Sequence, residues 1–480
     1  MTQRLALCLI TLVLTGTACR MPKRVHDTEF AAVASAVRHA YCQPAGIDRE
    51  VVTPTSLAWE GPHSVDEYIQ VALEQNPEVQ AARKNVEAQA LQVPVVASLQ
   101  DPTWNVTVQP SPVETAAGKQ EVMLAASQKL PWYGKLDARA CVAEAQTNVL
   151  RAHLAAKELD VIANVKHAYY ELYFVQQAIV VTEEEQELLG DIRDVATTRY
   201  KTGGTSQQDV LRAELEISTT ENELTNLRQQ LDVARARLGR LLHIGPQSRL
   251  AALDTLPPEN VPADLDFLQA QAVQARPELH AKLAEVHRDR LAVDVANLEY
   301  KPDVTLGATW IEVAGAGLSP VASGSDAVLL SVGSNLPIYR HRIDAAVRSA
   351  EAKAVASARA YDSLRDNTLE EVTSLFAKAR SQREMLGLFR EDILPKARQT
   401  LEVSSQAYIV GKVDFLQLID NWKQLLRSEL SRLRLESNLR QTMAELENVV
   451  GTMLGTEFDQ ELPAPHDELS PRTPESSPEE

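Results

Sequence analysis

The sequence predicts a mainly α protein of two structural repeats, in which long coiled-coil helices carry a few β-strands of bilayer-crossing length. Three observations predict it. The chain has 480 residues but only 5% aromatics and 19 glycines, too few for a large all-β body, which spends aromatics in strands and glycine in turns. The stretch beginning at Ser64 is written again from Asp264, with Pro77 matching Pro277 and Pro102 matching Pro302. Residues 134–200 hold no proline, so they can run as one helix of about 100 Å at 1.5 Å per residue, longer than any globular core.

Taken in order, residues 1–18 have the layout of an export signal: Arg4, an apolar run from Leu5 to Leu14, then small residues up to Ala18. Ten apolar residues are too few for a permanent membrane span, and no later run reaches the roughly 20 that a transmembrane helix needs. Residues 19–63 form a mixed linker or anchor segment. It contains Cys42, read as an inert thiol.

The first repeat is assigned to 64–245 and the second to 264–455. Two further landmarks keep step, Pro131 with Pro337 and Tyr200-Gly203 with Tyr408-Gly411, and the offset grows only from 200 to 208. A drift that small places the insertion in one exposed loop, the Gly/Ser-rich stretch 314–326. Each repeat opens on a helix signal, a capping box at Ser64 and Glu67 and an acceptable N-cap at Asp264. Next come two strands of about 9 to 11 residues, the length that crosses a bilayer when tilted. Trp104, Val106 and Val108 alternate with Asn105, Thr107 and Gln109; Leu306 and Trp310 alternate with Thr305 and Thr309; Val328, Leu330 and Val332 share a face. Trp104 and Trp310 fit interfacial anchors, or ordinary strand aromatics.

After the strands, a turn at KTGGTS joins the long helix to a heptad run, Ile217, Leu224, Leu231 and Leu238 with Leu227, Ala234 and Leu241, which implies left-handed supercoiling. In the second copy Leu418, Leu425, Leu439 and Leu446 keep the register, Arg432 interrupts it, and Pro395 is expected to kink the long helix. The short helix before the strands plus the one after the turn nearly equals the long one, so two can stack beside it. Residues 459–480 carry five prolines and seven acidic residues against Arg472, a solvated acidic tail.

Composition excludes several functions. With 48 basic against 66 acidic residues the formal net charge is −18, which argues against a nucleic-acid surface. Cysteines 8, 19, 42 and 141 lack the paired spacing of a zinc site. His280 and His287, seven residues apart on a helix, stand about 10 Å from each other, too far to share an ion at bonds near 2 Å. No phosphate loop, dinucleotide fingerprint or nucleophile motif is present. Neither an enzyme, a cofactor nor a metal site is expected.

Four strands cannot close a membrane barrel, since the smallest use about eight, so several chains must share one. The order helix, strand, strand, long helix, turn, helix, with the LP-x-Y junctions, the Y-x-x-G turns and ILPKARQTLEVSSQAYIVGKVDF, resembles the TolC-like outer-membrane efflux proteins over roughly residues 64–455. The resemblance implies a homotrimer: a small β-barrel continued by a long helical barrel across the periplasm, passing substrate from an inner-membrane pump and a periplasmic adaptor. SQKLPWYGKLDAR is similar to the CzcC- or CusC-like cation-efflux branch. Gly16-Thr17-Ala18-Cys19 resembles a bacterial lipoprotein processing site, although an ordinary signal-peptidase site also fits; with Arg20 following, acylated Cys19 would anchor the protein in outer-membrane lipid.

By the same resemblance the closed periplasmic end carries acidic gate residues six and nine positions after the second turn glycine; here those positions are Gln417, which departs from the pattern, and Asp420. Asp209 is a further candidate in the first copy. Each acid is also explicable as a solvated residue at a helix start, favoured by the dipole. Gly203 and Gly411 permit tight turns. The resemblance makes Tyr200, Gly203, Gly204, Tyr408 and Gly411 adaptor-facing tips. Drug-efflux and type I secretion channels share the architecture, and a pore-less, lipid-anchored periplasmic scaffold would explain the heptads but not the paired strands.

Overall fold

The computed structural model describes residues 29–30, 33 and 61–452, apart from 246–247, 258–259 and 316–323. The export signal, Cys19, Cys42, the acidic tail and most of the Gly/Ser-rich loop lie outside the described residues. Of the smaller compact unit, residues 1–58, only Glu29, Phe30 and Val33 are described, all helical. The larger unit, residues 59–480, holds both repeats.

A short strand β1 (Gly61–His63) leads into α1 (Val65–Gln75). The capping box forms: the Glu67 N–H donates to Ser64 Oγ at 3.3 Å and the Ser64 N–H to Glu67 Oε2 at 3.4 Å, satisfying two helix-end donors reciprocally. Asn76 ends α1 and caps α2 (Pro77–Ala97), accepting from the Glu78 N–H at 2.8 Å while its amide donates to the Leu241 carbonyl. Strands β2 (Thr103–Thr115) and β3 (Gly118–Leu130) follow, then α3 (Lys135–Lys201), α4 (Gln207–Leu241) and β4 (Leu250–Ala252). The second copy repeats the order: α5 (Leu265–Ala275), capped by Asp264, α6 (Pro277–Leu298), β5 (Val304–Ala314), β6 (Ala327–Ser334), α7 (Arg340–Leu388), α8 (Leu394–Ile409) and α9 (Phe415–Val450).

Helix α3 is one uninterrupted helix of 67 residues, and α2 and α4 pack along it. The heptad residues Leu224, Leu227, Ala234, Leu238 and Leu241 are buried; Leu231 packs against the clusters that hold Leu227, Ala234, Leu238 and Leu241, and Ile217 against the separate cluster that holds Tyr408 and Phe415. Arg432 breaks the leucine row without leaving a bare charge, because it pairs with Glu429 at 3.4 Å and Glu436 at 3.1 Å. The chain meets Pro395 through one π-helical turn, Phe389–Ile393, between α7 and α8. Proline lacks the N–H for an ordinary helical bond. The turn before it widens, so that the Leu394 N–H bonds the Phe389 carbonyl five residues back.

The strands form one antiparallel sheet in the order β2-β3-β5-β6. Cross-strand partners share a face. One face carries the rows Trp104–Ala126–Ala308–Leu330 and Val106–Leu124–Trp310–Val328, apolar throughout. The other carries Thr103–Ser127–Gly307–Ser331 and Asn105–Ala125–Thr309–Leu329, mostly small or polar. The apolar side stands open, with Trp104 64% and Leu330 83% exposed. β2 and β6 are edges, and no helix among the described residues is long and apolar enough to cross a membrane.

Sheet and helices are joined by a buried charge. Lys135, 2% exposed in the first turn of α3, donates to Asp303 Oδ1 at 2.9 Å and to the Lys301 carbonyl at 3.0 Å. Asp303 also accepts from the Trp132 N–H at 3.2 Å and pairs with Lys129 at 3.2 Å. One carboxylate therefore ties the start of β5 to the end of β3 and the start of α3. Removing one partner of a buried ion pair costs about 3–5 kcal/mol; because half-exposed Glu299 lies 3.7 Å from Lys135, Asp303→Ala should fall near the lower bound. Heat denaturation in detergent, with Asp303→Asn as the milder comparison, measures this; an unchanged midpoint for Asp303→Ala would contradict it.

Candidate functional site

The expected site residues gather around the two turns that end α3 and α8. Each turn reverses the chain with a glycine in the left-handed region, Gly203 at φ 76° and Gly411 at φ 79°. The bonds repeat as well. The Gly203 N–H donates to the Tyr200 carbonyl and the Gly204 N–H to the Arg199 carbonyl, as the Gly411 N–H does to Tyr408 and the Lys412 N–H to Ala407. These bonds satisfy carbonyls that a helix end leaves open, at a φ strained for any residue with a Cβ.

The matched tyrosines differ in fate. Tyr200 is 45% exposed, whereas Tyr408, expected beside it at an adaptor-facing tip, is 2% exposed. Tyr408 is buried because the two turns close on its ring: Phe415 lies 5.5 Å away between centroids and the Arg199 guanidinium sits 4.5 Å above it. Asp209 likewise is held between the turns, where its Oδ2 accepts from the Thr205 hydroxyl and from the Tyr408 hydroxyl at 3.5 Å. Arg199 completes the junction, donating through Nη1 to the Tyr408 carbonyl and through Nη2 to the Gly204 carbonyl at 3.0 Å. One side chain from the first copy thus bonds both turns.

Gln417 and Asp420 stand apart from this staple. They are exposed three residues apart on α9, on the face opposite buried Leu418 and Ile419, where residues at that spacing are neighbours. Their side chains face away from the chain's own core. Gly203, Gly204 and Gly411 are exposed. His280 and His287 lie exposed on α6, and the described residues contain no group of three His, Cys, Asp or Glu able to hold a metal.

Arg199 and Glu185 were not singled out by sequence. The only sign of Arg199 is a cation in the last turn of a helix, where the dipole favours one; nothing local says that it reaches the other copy. Glu185 sits in the run EEEQE, which reads as a solvated face. In the structure it packs toward α9, where Trp422 Nε1 donates to its backbone carbonyl at 3.2 Å. Burial, reinforced by the Glu429 carboxylate, pushes its carboxyl up to about 7. Glu429 is itself buried and held by Arg398 and Arg432.

A sheet with one apolar and one polar face, joined to helices of this length ending in paired turns, defines a class of membrane channel protein. The chain belongs to the outer membrane efflux protein family, whose profile matches residues 68–242 and 268–452, one segment in each copy. It is 24% identical over 327 residues to the cobalt-zinc-cadmium resistance protein CzcC of Cupriavidus metallidurans, covering 66% of this chain and 74% of that protein. It is 22% identical to nodulation protein T of Rhizobium leguminosarum bv. trifolii, over 80% of this chain and 85% of that one. Among solved structures the fold matches CusC with a TM-score of 0.69 at 18% identity, covering 84% of this chain and 97% of the other. The family is one of outer-membrane efflux channels, not enzymes.

Two predictions follow from these contacts. Arg199→Ala removes two bonds from a charged donor, each worth about 1.5–3 kcal/mol, whereas Tyr408→Phe removes a single long one. Single-channel conductance in planar bilayers should rise clearly for Arg199→Ala and little for Tyr408→Phe; equal effects would contradict the staple. A carboxyl raised from 4.5 to about 7 stabilises the helix packing in its protonated form, so that contribution is intact below about pH 4.5 and lost as pH rises through about 7. Glu185→Gln stays neutral and should lose this part of the decline in heat stability between about pH 5 and pH 8. Parallel pH curves for the two proteins would refute the assignment.

Proposed function

We propose that three copies of this chain close their sheets into one twelve-stranded barrel in the outer membrane and continue it as a helical conduit through the periplasm. The observation that carries the reading is the four-stranded sheet with an apolar face and two unpaired edges. In lipid an unpaired backbone group costs several kcal/mol, so both edges must find partners. Two copies would give eight strands, a barrel whose interior side chains just fill, while three leave a passage. Acylation of Cys19 would add an anchor to the same membrane.

At the far end, the exposed residues Tyr200, Gly203, Gly204 and Gly411 form the surface that meets a periplasmic adaptor, which links the conduit to an inner-membrane pump. Tyr408 supports that surface from inside. Gln417 and Asp420 form the constriction: three symmetry-related Asp420 carboxylates attract cations and repel one another, so opening relieves their repulsion. The cargo is metal cations. Support for that comes from the name of the cobalt-zinc-cadmium resistance relative and from the formal net charge of −18, which concentrates cations near the protein.

A strain lacking the protein, challenged with a panel of metal salts and drugs, tests the cargo; lost tolerance to divalent cations with unchanged drug tolerance is expected, and the reverse would contradict the metal reading. Asp420→Ala should raise conductance and weaken cation preference in planar bilayers. Unchanged conductance and selectivity would refute the gate.

A further inference from the structure

The duplication makes the joint inside one copy a template for a joint between copies. Inside the chain the first repeat meets the second where β3 pairs with β5 and α3 runs beside α6. In a closed ring the second repeat meets the first repeat of the next copy in the same way, with β6 and α7 against β2 and α2. The two joints can be compared position by position. Lys135-Leu136-Asp137-Ala138 opens α3, and Arg342-Ile343-Asp344-Ala345 repeats it near the start of α7. On the other side of the joint, the offset of 200 carries Lys301 and Asp303 onto Asp101 and Thr103.

The inner joint is satisfied and the outer one is not. A cation in the first turn of a helix opposes the dipole; Lys135 is compensated there by Asp303 at 2.9 Å and by the Lys301 carbonyl at 3.0 Å. Arg342 stands in the first turn of α7 with no acid in that turn. It is exposed, and its side chain has no hydrogen bond or ion pair among the described residues. Its neighbours are engaged: Arg340 and Arg348 lie near Tyr300, whose hydroxyl donates to Asp344, and His341 stands edge-on to Tyr339. Asp101 is exposed too, and also lacks a partner among the described residues. The apolar contacts differ in the same sense. Val295 of α6 lines a cavity with Val142 and Ala143 of α3, whereas its counterpart Val95 stands exposed on α2 together with Leu91, four residues earlier on the same face.

We propose that Arg342 of each copy pairs with Asp101 of the next, as the counterpart between copies of the Lys135–Asp303 joint, with Leu91 and Val95 of that next copy covered by α7. The pairing rests on the reading that three copies share one barrel. The acid has moved two residues, from the place of Asp303 to that of Lys301, whose backbone Lys135 already reaches. Within one chain the two residues cannot meet, because β2 and β6 are opposite edges of the sheet, three strand spacings or about 14 Å apart.

The test determines the mass of the full-length protein in mild detergent and then the rate at which the oligomer dissociates in SDS on warming. Arg342→Glu and Asp101→Arg should each speed dissociation about fivefold, as loss of an exposed ion pair of about 1 kcal/mol does. The two reversals together should return the rate to that of the unsubstituted protein. A trimer whose dissociation ignores either reversal, or a double reversal no slower than Arg342→Glu alone, as lipid phosphate holding Arg342 would give, overturns the pair and leaves the shared barrel standing. A chain that is monomeric before any substitution overturns both.

Discussion

The backbone hydrogen bonds of β2 and β6 set the terms for the rest of the molecule. β3 and β5 are paired on both sides, but each edge strand presents a row of N–H and C=O groups on its outer side. In water such a sheet would leave Trp104, Leu124, Trp310 and Leu330 uncovered; in lipid it would leave its edge amides bare. Only continuation of the sheet by further strands satisfies both conditions. A barrel assembled from several chains supplies those strands without any chain having to encode a complete one.

The two ends of the helical body are held by interactions of different strength. Where strands become helices, Lys135 and Asp303 form a buried, multiply bonded ion pair that fixes the direction in which α3 leaves the sheet. At the turns, Arg199 and Asp209 bridge the two copies with a handful of partly exposed bonds. The first is a pair whose disruption is expensive, and the second is made of bonds that water can replace. The length of α3 separates the two by about 100 Å.

Much of this was legible in the sequence because it is periodic. Leu224, Leu227, Leu238 and Leu241 announce a buried helix face, Ser64 and Glu67 a helix start, and Trp104, Val106 and Val108 a two-faced strand. The repeat could mislead as well as inform. Tyr200 and Tyr408 occupy the same place in their turns, but Arg199 aligns with Ala407, and that asymmetry lets one tyrosine be capped and buried while the other faces solvent. Glu185 was illegible for a similar reason, since acidity in a run says nothing of which carboxylate faces Trp422 and Glu429 across the bundle. Pro395 announced an irregularity, but not that it would take the form of a widened helical turn.

Closure of the sheet between copies can be measured directly by oxidative cross-linking of cysteines placed on the two edges, Asn105→Cys or Thr107→Cys combined with Leu329→Cys or Ser331→Cys, in a chain with Cys42→Ser and Cys141→Ser. Edge-to-edge pairing in a closed ring of three predicts disulfide-linked dimers and trimers for the matching pairs, with the ladder ending there. Products confined to single chains, or a ladder running on past three, would contradict it.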